Sequence, residues 1–371
     1  MDDEARATGL GPVPHRASNA HRRGRRSPYG HPRQDDAGGP DLSGPTYAAL
    51  DLGTNNCRLL VARATRDSFR VVDAFSRIIR LGEGVSTSGV LSEAAIARAV
   101  EALRICRNKI RNRGVTRTRL IATEACRAAG NGNEFLARVR EEVGIELEIV
   151  DRETEARLAA TGCTPLVDPA SKGVILFDIG GGSSELVRLG RMSPIEYGPP
   201  HPEVEAWISL PMGVVTLAER FGGVTVTRES FEAMIADVAQ HVSRFAADHG
   251  SNLDGMHLLG TSGTVTTIAG VYLELPRYER RRVDGCWMEE AQVSTVVERL
   301  LAMSYQDRVA NPCIGAERAD LVLAGCAILE AIRRAFPCPR LRVADRGLRE
   351  GMLVQMMRED GAWSHSDEPQ P

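Results

Sequence analysis

The chain has 371 residues, enough for two domains of ordinary size, with 43% apolar and 5% aromatic content. A formal net charge of −3 points to neither a nucleic-acid protein nor an acidic tail, so any grip on a polyanion must come from local arginine clusters. The eight cysteines form no CxxC pair and no zinc-spaced Cys/His ladder, which favours a reduced, cytoplasmic protein, and no apolar run reaches the ~20 residues needed to cross a bilayer.

Residues 1–45 are rich in Arg, His, Gly, Pro and Asp and hold no apolar run. They read as a disordered basic and polar tail, not a signal peptide. Order begins at Tyr47. The stretch YAALDLGTNNCRLLVAR reads as a strand, a polar turn around Asp51 and Gly53, and a second strand. A third strand is expected over 69–75. Ser92 caps a helix with apolar residues at Ile96, Val100, Leu103 and Ile110, and Gly114 closes it. A strand over 118–123, a helix over 133–143, a strand over 145–150 and a helix from Asp151 toward Gly162 complete the first half.

The second half opens on GVILFDIGGGSSELV, residues 173–187. This is again an apolar run, an aspartate (Asp178), a glycine turn and an apolar run. With Asp178 set on Asp51, Gly180 falls on Gly53, Gly182 on Asn55, Leu186 on Leu59 and Val187 on Leu60, at a constant offset of 127 residues. Two such hairpins suggest a duplicated domain with one turn from each half facing a shared cleft. A strand over 204–210, a helix over 213–221, a long helix from Thr227 to His249 and a strand over 256–260 follow. That strand runs into Thr261-Ser262-Gly263-Thr264 and a helix. Helices over 289–303 and 315–336, a strand over 341–344 and a helix from about Leu348 end the pattern. Helices packed on mixed sheets make the fold class α/β.

Several residues could carry chemistry. The glycines of both turns let the backbone enter φ > 0 and approach a ligand, and successive N–H groups can converge on an anion. Gly53, Thr54 and Asn55 in one turn and Gly180, Gly181, Gly182 and Ser183 in the other are therefore candidate phosphate binders. Ser262, Gly263 and Thr264 stand at a helix N-terminus, which also suits a phosphate. Asp51, Asp178 and Glu185 could hold a hydrated Mg²⁺. The plainer alternatives stay open from the residues alone. The glycines could merely turn the chain, the aspartates could be turn residues, and a Glu in the first turn of a helix could be a surface cap.

DLGTNN (51–56), FDIGGGSSELV (177–187), LGTSGT (259–264) and DRGLREG (345–351) together resemble the exopolyphosphatase / guanosine pentaphosphate phosphatase family. TEACRAAGN (123–131), EIVDRETEARL (148–158), LPMGVVTLAERF (210–221) and ERADLVLAGCAILE (317–330) extend the likeness over about 46–357. The resemblance implies two duplicated ribonuclease-H-like domains of the actin-like ATPase superfamily with a cleft between them. These would span 46–165 and 166–345. A terminal helix over 346–358 could return to the first domain, and a loose tail would cover 359–371. Longer relatives carry a C-terminal extension with a His-Asp pair; the sequence has no His-Asp dipeptide, so the expectation is the short, two-domain form.

The implied activity is a Mg²⁺-dependent hydrolase that removes the terminal phosphate of inorganic polyphosphate. The alternative substrate is guanosine pentaphosphate, losing its 5′-phosphate. A non-catalytic phosphate- or nucleotide-binding regulator is the alternative of another class, and sugar or acetate kinase activity is a more distant one. Matched motif by motif, Glu155 falls on the family's catalytic glutamate, with Glu153 a nearby residue of the same chemistry. Arg127 falls on an arginine near the phosphate, and Asp178 and Glu185 on acidic residues of the second turn. Thr54 and Asn56 replace serines common in the first turn, and Cys126 a common leucine. The expected partners are the phosphate substrate and, as an option, a second copy of the chain, with neither membrane nor nucleic acid.

Overall fold

A computed structural model describes residues 44–192 and 198–363. Of the expected tails over 1–45 and 359–371, 1–43 and 364–371 lie outside the described residues, while Glu359 ends a helix and Trp363 packs on the first sheet, its Nε1 donating to the Thr65 carbonyl at 2.8 Å. The first domain opens with β1 (Thr46–Leu52), β2 (Asn56–Ala64) and β3 (Phe69–Ile78), an antiparallel meander. After α1 (Val85–Ser88) and α2 (Glu93–Asn112), β4 (Arg117–Ala122) pairs parallel to β1. Then come α3 (Glu124–Ala128), α4 (Gly132–Val143), the two-residue β5 (Glu148–Ile149) and α5 (Arg152–Cys163). The sheet order is β3-β2-β1-β4-β5. Ser92 caps α2 by accepting from the Ala95 N–H, and the Ile96, Val100 and Leu103 stripe is buried against Leu50, Leu59 and Val61.

The second domain repeats the plan. β6 (Gly173–Ile179), β7 (Ser184–Leu189) and β8 (Val204–Leu210) form the meander, followed by α6 (Val214–Phe221) and α7 (Arg228–His249). β9 (Met256–Thr261) runs parallel to β6 and leads into α8 (Gly263–Tyr272). α9 (Arg280–Val283), β10 (Trp287–Glu289), α10 (Glu290–Ala302), α11 (Tyr305–Ala310), α12 (Val322–Ala335), β11 (Arg340–Ala344) and α13 (Leu348–Glu359) complete the chain. Read from its meander edge the sheet is β8-β7-β6-β9-β11-β10, the first sheet's order with one antiparallel edge strand added. The 127-residue offset survives in the irregularities: the β2/β3 register slips between Val61 and Ala62, and the β7/β8 register between Arg188 and Leu189.

The sequence reading missed some elements. α1, α3, α9, α11 and β10 are too short for periodicity to reveal. The strand expected over 145–150 is confined to Glu148–Ile149. The helix expected over 315–336 starts only at Val322. Gly315, at φ 75°, ends a preceding turn, and residues 316–321 form consecutive turns.

α5 and α13 carry the junction between domains. One face of α5 (Ala156, Ala160, Cys163) packs on Val174, Leu176, Val187 and Leu189 of the second sheet. Leu158 faces the other way, with Leu348, Met352, Leu353 and Met356 of α13, onto Tyr47, Ala49 and Leu60 of the first sheet. The two helices touch backbone to backbone. A Cβ on Gly162 would lie 1.9 Å from the Gly347 carbonyl oxygen, and one on Gly351 the same distance from that of Leu158. No described helix is long and apolar enough to cross a membrane.

Candidate functional site

Both hairpin turns close with the same hydrogen bond. The Gly53 N–H donates to the Asn56 carbonyl at 2.9 Å, and the Gly180 N–H to the Ser183 carbonyl at 2.9 Å. None of the turn glycines takes the positive φ expected of them; the positive-φ glycines lie elsewhere. Their smallness serves contact. A Cβ on Gly181 would come within 2.8 Å of Thr54 Cβ, and one on Gly182 within 2.9 Å of Thr54 Oγ1 and 3.1 Å of Glu124 Cγ. The two turns are stacked on each other across the domain interface, with Thr54 buried between them.

Beside this contact lie four carboxylates. Asp51 ends β1, Asp178 and Glu185 face each other across β6 and β7, and Glu155 sits in the first turn of α5. Burial raises the pKa of all four. Repulsion from Glu185 adds to the rise at Glu155, that from Asp178 to the rise at Glu185, and that from Glu350 to the rise at Asp51. Asp178 is pushed up to about 7, by burial first and then by Glu155. Ser209 donates to Glu185 Oε1 at 2.8 Å and partly offsets its shift. Burial and mutual repulsion thus both favour the protonated form of these carboxyls.

The described residues place no three His, Cys, Asp or Glu side chains close enough to chelate a metal directly. A Mg²⁺ held by one or two carboxylates, waters and substrate phosphate needs no such cage. Asp51, Asp178 and Glu185 fit that mode, and the buried Asn55 Oδ1, which has no hydrogen-bond partner, is a further neutral oxygen at the turn.

Arg127 does not reach into open space. Its Nη2 donates to Glu155 Oε2 at 3.1 Å and to Glu124 Oε2 at 2.6 Å, and its Nε to Glu124 Oε2 at 3.0 Å. Its fork is therefore committed to orienting Glu155, where the sequence reading aimed it at phosphate oxygens. Glu124, which sequence reading passed over, is the buried anchor of this network and also accepts from Arg152 Nη2 at 2.9 Å.

At the start of α8, Ser262 adopts φ 140°, strained for a non-glycine residue. Its hydroxyl accepts from the Thr264 and Val265 N–H groups at 3.1 and 3.3 Å. Those two donors, expected to meet a phosphate, are thus already engaged. The Thr264 side chain is turned toward Gly325 of α12. Gly263 remains close to the cleft: a Cβ there would stand 3.6 Å from Arg318 Nη1.

Arg318 and Arg58 are the cations that sequence reading missed. Arg58 pairs across β1 and β2 with Asp51, the position that Glu185 holds opposite Asp178. The offset of 127 residues was the available signal, since it sets a base against an acid. Burial first, then the like charge of Arg58, pulls the pKa of Arg318 down, and neither side chain has an ion-pair partner among the described residues. Arg280, by contrast, is tied to the Asp345 carbonyl at 3.0 Å and Glu350 Oε1 at 3.1 Å.

Comparison with known proteins gives this geometry a family. Over 314 residues the chain is 28% identical to a guanosine-5′-triphosphate,3′-diphosphate pyrophosphatase of Aeromonas hydrophila, with 84% of this chain and 60% of that protein aligned. The chain thus spans about three-fifths of the length of that curated relative. The Ppx/GppA family member of Aquifex aeolicus superposes with a TM-score of 0.70 at 28% identity, covering 87% of this chain and 99% of that one. A crystal structure described as an exopolyphosphatase-like protein superposes with a TM-score of 0.75 at 28% identity, covering 85% and 98%. The two mixed sheets are those of the actin-like, ribonuclease-H-like two-domain fold. The sequence model of the Ppx/GppA phosphatase family matches residues 60–360, and the chain belongs to that family.

Proposed function

We propose that the chain is an exopolyphosphatase, hydrolysing the terminal phosphoanhydride of inorganic polyphosphate and releasing phosphate. One observation carries the reading: Glu155, with its proton affinity raised and its carboxylate held by Arg127, stands beside the carboxylate cluster where the two glycine turns meet. Phosphoryl transfer demands positioning and charge neutralisation. Backbone N–H groups of 54–55 and 181–183 cradle the terminal phosphate, and Arg58 and Arg318 balance its oxygens. Glu155 accepts the proton of the attacking water, and a carboxyl tuned upward by burial is suited to do so near neutral pH. Mg²⁺ held through one or two of Asp51, Asp178 and Glu185, and otherwise through waters, would supply charge neutralisation at the phosphate. Thr54 and Gly181 touch in this structure, so the turns part to admit substrate.

The name of the Aeromonas relative favours a second substrate, guanosine pentaphosphate, and the same constellation would remove its 5′-phosphate. Phosphate release from both substrates with Mg²⁺, compared as kcat/KM, decides between them. A chain that binds either substrate in calorimetry yet releases no phosphate would be a regulator, and the hydrolase reading would fail.

A further inference from the structure

Each phosphate turn rests on a support, and two polar bridges cross the interface from the support of the first, one to the turn of Arg318 and one to α6. The first turn lies on the loop after β3. Asn55 O accepts from the Ile79 and Arg80 N–H groups at 2.9 and 3.1 Å, and Thr54 O accepts from Gly82 at 2.9 Å. Arg98 Nε fixes this loop from α2 by donating to Ile79 O at 2.7 Å. The second turn lies on the start of α6, where the Val214 and Val215 N–H groups donate to Gly180 O and Gly181 O at 3.0 and 2.8 Å.

The first bridge is Arg80. It donates from Nη1 to Asp320 Oδ2 at 2.9 Å and from Nη2 to Asp320 Oδ1 at 3.1 Å. Asp320 is two residues from Arg318, in the turn that buried Arg308 pins by donating to Ala319 O at 3.1 Å. The second bridge is Glu219 of α6, which accepts from the Gly84 N–H at 2.9 Å and from the Ser86 hydroxyl. A cavity of ≈ 250 Å³ lies between the bridges, walled by Arg80 and Glu83 from one domain and Val215 and Glu219 from the other.

A lone surface ion pair contributes little. This one is bidentate, and Arg80 sits at φ 47°, a strained conformation for arginine that the surrounding bonds maintain. Strain is tolerated where the fold depends on the arrangement it enforces.

We propose that Arg80–Asp320, seconded by Glu219, is a latch that couples domain closure to the alignment of the two phosphate turns. Arg80 is then a positioning residue. Its side chain senses the second domain while its own N–H holds Asn55, so closing the interface and setting the first turn are one event. Asp320 does the corresponding work for Arg318. The latch rests on the cleft being the phosphate site, whichever phosphoanhydride it takes.

The test uses the full chain with Arg80→Gln, Asp320→Asn and the charge swap R80D/D320R. Both wild-type side chains are partly exposed (32% and 23%), so single neutralisation should leave the fold intact, and aspartate tolerates a left-handed backbone. Each single variant should lower kcat/KM for phosphate release about tenfold with the melting temperature nearly unchanged, and the swap should recover most of it. Amide exchange should quicken in 53–56 and 180–184 of the single variants alone. If Arg80→Gln misfolds, Glu219→Gln gives the same exchange readout at the second bridge. Single variants with wild-type kinetics and wild-type exchange would overturn the latch. A wild-type chain that releases no phosphate would overturn the proposed activity, while the exchange comparison would still decide the latch.

Discussion

The two hairpins are copies in register and opposites in charge. In the first, Asp51 faces Arg58; in the second, Asp178 faces Glu185. They differ in tolerance too. A Cβ on Gly53 would meet nothing closer than 3.5 Å, whereas one on Gly180, Gly181 or Gly182 would come within 3 Å of a neighbour. Duplication supplied two equivalent turns, and divergence split the work. The second turn concentrates negative charge and tight contact; the first contributes a cation and a hydroxyl. Glu155 belongs to neither, standing on the helix that packs against both domains.

The sharpest way to break this division is to remove the group both turns serve. Glu155→Gln should cut phosphate release by about 10²–10⁴-fold while leaving folding intact, measured by steady-state assay beside a thermal melt. Full activity in a folded variant would show that the base is elsewhere. Next comes the charge contrast. Arg58→Gln should raise the substrate KM about tenfold or more through loss of a charged contact. Glu185→Gln should act in the other direction on stability: without Mg²⁺ it relieves repulsion on Glu155 and raises the melting temperature, yet it should weaken the Mg²⁺ response.

The steric contrast comes after these. Gly181→Ala should cost about 1–3 kcal/mol by overpacking against Thr54. Gly53→Ala should be neutral or stabilising by up to about 1 kcal/mol. Equal denaturation midpoints for the two would refute the claim that only the second turn needs its glycines for contact.

The smallest expected effect is a pH-dependent one. Asp178 rises from its ordinary 3.8 to about 7, so the folded chain holds its proton more tightly than the unfolded one. The stability this gives is complete below about pH 4 and drains away as pH climbs to 7. Without metal the melting temperature should therefore fall across that interval, and Mg²⁺ should restore more of it at pH 8 than at pH 5. A Mg²⁺ effect independent of pH would argue against carboxylate ligation.

Much of the fold was legible because the duplication doubled the signal. The apolar strands around Asp51 and Asp178, the Ser92 cap, the helix starting at Thr227 and the apolar stripe of α2 each stand on local chemistry, and all appear as read. The site was legible as a set of residue types, less so as a set of partnerships. Glu124 drew no notice until the structure closed Arg127 and Arg152 on it. Ser262 read as a phosphate binder, yet its own hydroxyl takes the Thr264 and Val265 N–H groups. Arg318 hid in a span read as helix. In each case the deciding partner is distant in sequence or the geometry is set by a turn, and neither leaves a periodic trace.

The docking of α13 on β1 and β2 bears on the order of synthesis. Tyr47, Ala49 and Leu60 are made well before Met352, Leu353 and Met356, which cover them. A nascent chain must carry an uncovered apolar sheet face until α13 has been translated. The first domain cannot mature ahead of the second, and chaperone dependence should be greatest for messages that stop short of residue 348.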